Sequence, residues 1–133
     1  MISSKKSASE LLHALEEAAS GLLFPSESDS PLTPIEWRGP GGEDLSPEAL
    51  LRSKGLPPDT AVERVALDEL FAPLTGEDGG EDAAKFHAIV DLVKGELTDV
   101  RGYRVGAVDI DVHLLGRHAS GAWIGLHFKV VET

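Results

Sequence analysis

The chain has 133 residues, 41% of them hydrophobic, which suits one domain with its own core over 1–133. It contains no cysteine, so disulfides, thiolate metal sites and a cysteine nucleophile are excluded. With 23 Asp and Glu against 12 Lys and Arg, the formal charge of -11 argues against electrostatic binding to nucleic acid or to an anionic membrane, and any partner should be basic. Acidity alone is equally an ordinary device for solubility. No apolar run reaches membrane-spanning length, and the first residues carry no apolar leader pattern, so a cytoplasmic, soluble protein is expected.

Ser7 and Glu10 form a capping-box pattern ahead of Leu11, Leu15, Ala18 and Leu22, which recur at helical spacing until Gly21 offers a stop. Pro25 then breaks the chain. Ser26 to Pro31 is all turn formers with no apolar anchor, and reads as an exposed loop. Pro34 to Arg38 reads as a short strand, ended by the Gly39–Gly42 stretch. Ser46 as cap, Pro47 at the first helical position and Gly55 past the end bracket a short helix over Glu48 to Lys54.

Val62 to Leu67 can form a strand, and Asp68 can cap a turn of helix through Phe71. An acidic link, Glu77 to Asp82, is expected to be flexible. Phe86, Ile89, Val90, Val93 and Leu97 then make one apolar stripe, the mark of the main core helix. Near the end Val108, Ile110, Val112 and Leu114 alternate with Asp109, Asp111 and His113, and Ile124, Leu126, Phe128 and Val130 repeat the pattern. His118 to Gly121 is the expected hairpin loop. Matching the apolar faces brings Asp109 or Asp111 near Lys129 or His127. Helices with a terminal antiparallel sheet make this an α+β domain.

The most enzyme-like group is Asp109, Asp111, His113 and His127, whose carboxylates and imidazoles on adjacent strands could hold a metal for a hydrolase. A paired polar face of a half-buried hairpin explains the same residues more simply. His13, His87 and His118 read as surface residues. Gly39–Gly42 lacks the lysine of a phosphate loop, and no Gly-x-Ser-x-Gly elbow occurs. An enzyme is therefore the minority reading.

The run from Ser20 to Ser28, ahead of Pro31 and Trp37, is similar to the opening of the nuclease A inhibitor family. Ala84-Lys85-Phe86, Tyr103 to Gly106, Val108 to Val112 and Lys129 to Thr133 resemble its closing half in order and spacing. The resemblance covers 8–38 and 84–133, and is loose over 39–83. It implies a three-layer α-β-α sandwich with a central, mainly antiparallel sheet, of the pathogenesis-related-protein-1 type. It also implies a non-enzymatic protein that inhibits a sugar-non-specific, magnesium-dependent nuclease one to one.

By the same resemblance Glu27, between Ser26 and Ser28, enters the nuclease active site in place of the scissile phosphate. Thr133 reaches the catalytic magnesium through oxygen. That ion belongs to the nuclease, and no cofactor of the chain's own is expected. Asp78 corresponds to the acidic member of a second contact, where Gly79 replaces the family's tryptophan. A third possibility is a binding module of the same fold that recognises another basic protein.

Overall fold

The structure, a computed structural model, describes residues 6–132, with the backbone alone at Pro40, Glu77, Asp78 and Gly79. Ser7 Oγ accepts from the Glu10 amide, and the Glu10 side chain accepts from the Ser7 amide, so α1 (Ala8–Ala19) opens with the predicted capping box. Leu11, Leu15 and Ala19 form its buried stripe. Then come β1 (Leu23–Phe24), β2 (Ser30–Pro31) and β3 (Thr33–Trp37). Helix α2 (Pro47–Lys54) has Ser46 accepting from the Ala49 amide at its start and Gly55, at φ 68°, at its end. The predicted signals there are all used.

β4 (Val62–Val65) is shorter than the predicted strand, and α3 (Leu67–Thr75) is longer than the predicted turn. Asp68 does not cap α3. It lies inside the first turn, while Glu69 reaches back to accept from the Ala66 amide at 3.2 Å. The expected acidic link, Glu77–Asp82, is a 3₁₀ stretch bent at Gly80. The core helix α4 (Ala83–Glu96) buries Phe86, Ile89 and Val93.

β5 (Thr98–Val105), β6 (Asp109–Arg117) and β7 (Trp123–Val131) complete a five-stranded antiparallel sheet in the order β3-β7-β6-β5-β4. Of the juxtapositions expected from the alternation, Asp109 or Asp111 near Lys129 or His127, the register sets Asp111 opposite Lys129, and it sets His113 opposite His127. Val108 departs from the expectation. Gly106, at φ 114°, turns the chain between β5 and β6, and this leaves Val108 outside the strand and 51% exposed. His118 also departs: it is buried, not on the surface, with its ring bonded to Lys6 O at 2.8 Å and Ser120 Oγ at 2.9 Å.

Adjacent residues of β6 divide the core. Leu114 packs with α1, α3 and α4, whereas Leu115 packs with Trp37, Trp123 and the α2 residues Leu50 and Leu51. Helices therefore lie against both faces of the sheet, an α+β arrangement. Phe24, Phe71 and Phe128 join at the first of these clusters, with Phe24 stacked on Phe128 at 4.3 Å and edge-on to Phe71 at 5.9 Å. Among the described residues, no helix is long and apolar enough to cross a membrane.

Candidate partner-binding loop and chain end

β7 is longer than its neighbour β3, whose pairing ends at Thr33 opposite His127. Beyond that point the outward amides of β7 need other partners. Ser30 Oγ accepts from the Lys129 amide at 3.0 Å, and Ser26 Oγ accepts from the Val131 amide at 3.1 Å. Two serine hydroxyls thus continue the edge that β3 leaves, two residues apart, as the period of a strand demands.

The Ser26 hydroxyl is fully used within the chain. It donates to Ser28 O at 2.9 Å and accepts from the Ser28 amide at 3.3 Å as well as from Val131. Between the two serines the Glu27 amide donates to Val131 O at 3.4 Å. Asp29 Oδ1 accepts from the Ser26 amide at 3.4 Å and closes the turn. The loop also has the apolar anchor that its sequence did not show, because Phe24 at its entry is buried against Phe128. Glu27 and Ser28 are exposed at its tip.

The C-terminal strand meets this loop side by side. The Glu132 amide donates to Val108 O at 3.0 Å, and the Glu132 carboxylate pairs with Arg104. Arg104 also pairs with Glu63 of β4 at 3.4 Å. Pro25, Glu27, Arg104, Val131 and Glu132 line a cleft of about 510 Å³ between loop and tail. Of the predicted contact residues, the structure brings Ser26, Glu27 and Ser28 to the end of β7. Thr133 lies outside the described residues, as does the Asp78 side chain. Sequence reasoning gave no site role to Phe24 and Arg104, which line the cleft, or to Ser30, which continues the edge of β7.

The candidate hydrolase centre does not assemble. His127 Nε2 donates to Asp111 Oδ1 at 3.0 Å, and the rings of His113 and His127 lie 4.9 Å apart. Asp109, however, is exposed opposite Val131, and the Lys54 ammonium lies 3.5 Å from His113 Nε2, in the position a cation would want. Among the described residues no group of three or more histidines and carboxylates is placed to hold a metal ion. The metal reading of Asp109, Asp111, His113 and His127 is therefore corrected to a cross-strand polar pair beside a buried histidine. Burial would raise the Asp111 pKa, but the hydrogen bond from His127 and the charge of Lys54 outweigh it and hold the carboxyl below its usual range.

Burial first, then Lys54 and His127, push His113 down to about 4. Its Nδ1 finds no hydrogen-bond partner among the described residues. The native state thus resists a proton that the unfolded chain accepts near pH 6.5. Stability is full above that pH and is lost as pH falls from about 6.5 towards 4. The loss from this group is at most about 3 kcal/mol. Urea unfolding at pH 7.5 and pH 5 should show it, and His113→Gln should flatten the difference. An unchanged pH dependence in that variant would assign the loss to other groups.

No curated protein matches the chain. A family model described as nuclease A inhibitor-like protein matches residues 9–133, nearly the full length, and the chain belongs to that family.

Proposed function

We propose that this protein inhibits a sugar-non-specific, magnesium-dependent endonuclease, one to one, by presenting the Glu27 loop and the chain end together to its active site. Membership of an inhibitor family implies a nuclease partner. The observation that carries the mechanism is the tie of Ser26 Oγ and the Glu27 amide to Val131, which sets loop and tail on one edge of the molecule. A nuclease without base preference must hold any phosphodiester by cationic groups and its metal ion. A carboxylate on a firm loop satisfies the same donors and offers no cleavable bond.

In this reading Ser26 acts through the loop it shapes, Ser28 lies at the exposed tip, and Asp78 supplies a second acidic contact. Thr133 follows Glu132 and offers oxygen to the nuclease's magnesium, a hard ion that exchanges one of its waters for such a ligand. The sandwich of pathogenesis-related-protein-1 type belongs to the same proposal, and helices against both sheet faces support it. Gly79 in place of the family's tryptophan favours one second reading, a binding module for a different basic protein.

Titration decides between them. Activity of the nuclease should fall linearly to a break at one equivalent of inhibitor, and deletion of Thr133 should weaken inhibition while leaving the melting temperature nearly unchanged. Nuclease activity that persists at a clear molar excess would overturn the inhibitor reading.

A further inference from the structure

A cationic side chain stands in the cleft that this protein offers to a basic partner. Arg104 lies in β5, opposite Val112 of β6 and Glu63 of β4, and its side chain is only 19% exposed. It pairs with Glu63 on one side and with Glu132 on the other, and it lines the same cleft as Pro25 and Glu27. Long-range attraction between an acidic inhibitor and a basic nuclease would be stronger without it.

Its contacts give the reason for its presence. Past Val131 the tail has left the β6–β7 ladder, and its described ties are the Glu132 amide to Val108 O and the Glu132 carboxylate to Arg104. A tail held by one backbone bond would lose conformational freedom on binding, and affinity would fall accordingly. An arginine shared between β4 and the tail removes that freedom beforehand. Its planar fork can serve two carboxylates at once, which a lysine's point charge does less well.

We propose that Arg104 is a positioning residue of the inhibitory site: it latches Glu132 and so presets the chain end beside the Glu27 loop. The proposal rests on the nuclease-inhibitor reading. Coulomb steering and latching predict opposite signs for Arg104→Gln. Removing a positive charge should speed association with a basic nuclease. Releasing the tail should speed dissociation more, and the net effect should be a loss of about tenfold in affinity.

The experiment uses the full chain and a purified sugar-non-specific, magnesium-dependent endonuclease. Association and dissociation rates are measured for wild type, Arg104→Gln, Glu132→Gln and the double variant, with the amide ¹⁵N–¹H NOE of Glu132 recorded in the free proteins. Arg104→Gln should lower the NOE of Glu132, raise the dissociation rate and leave the melting temperature close to wild type. The double variant should bind no worse than Arg104→Gln, because each change breaks the same pair.

Tighter binding by Arg104→Gln, additive losses in the double variant, or an unchanged Glu132 NOE would overturn the latch. If wild type does not inhibit the endonuclease, the functional reading fails separately, and the NOE still reports whether Arg104 holds the tail.

Discussion

Replacing Glu27 with glutamine is expected to weaken nuclease inhibition by about 2 to 5 kcal/mol, the usual cost of removing one member of a desolvated, charge-assisted contact. The substitution keeps the size of the side chain and takes away its charge. The Ser26 hydroxyl, the Asp29 carboxylate and the backbone of Glu27, which shape the loop, all keep their groups in this variant. Glu27 is exposed, so the melting temperature should stay within the small range of surface substitutions. Inhibition constants for wild type and Glu27→Gln, measured at one ionic strength, provide the comparison. Equal inhibition by the two proteins would mean that no nuclease donor reads the charge at this position, and the blocking group would have to be sought at the tail.

What the sequence made legible follows from where local signals were strong. α1, α2 and α4 carry either complete caps or a clean apolar stripe, and β6 and β7 alternate over 109–114 and 124–130, so all five elements were readable as types. β5 was not. Asp99, Arg101 and Arg104 break its apolar pattern, Gly102 lies within it, and its register shifts between Thr98 and Arg101, with Asp99 at φ 50°. The far face of β6 and β7 read as polar because its histidines and carboxylates are conspicuous. In the fold, α2 covers part of that face through Leu50 and Leu51 and packs Leu115 and Trp123 beneath it.

The site shows the same division. Glu27 could be singled out through resemblance alone, because serine and acid between prolines is ordinary loop composition. That Ser26 and Ser30 complete the edge of β7 depends on β3 stopping at Thr33, a fact of register that no local motif encodes. Arg104 enters only because β5 places it beside both Glu63 and the tail. The loop was expected to lack an apolar anchor because its own residues are polar. Its anchor is the residue before Pro25, stacked on a strand more than a hundred positions away in sequence.

That anchor joins stability to inhibition. Phe128 is fully buried, with Phe24 stacked on one side of it and Phe71 edge-on at 6.3 Å. Phe128→Ala removes the ring and leaves a cavity among Phe24 and Phe71, at an expected cost of about 3 to 5 kcal/mol. For a domain of this size that corresponds to a fall of roughly 10 to 20 °C in melting temperature. Phe24 would also lose the surface that fixes the entry to the Glu27 loop. Inhibition measured well below the lowered melting point should therefore drop as well, by about tenfold, as the loop regains freedom that binding must remove. Leu50→Ala is the control. Leu50, on α2, is fully buried in the other cluster, and its truncation costs about 2 to 5 kcal/mol without touching Phe24, Phe71 or Phe128. If both variants lose stability but only Phe128→Ala loses inhibition, the aromatic platform sets the loop. If Leu50→Ala loses inhibition equally, general loosening of the fold accounts for the effect, and Phe24 anchors nothing specific to the site.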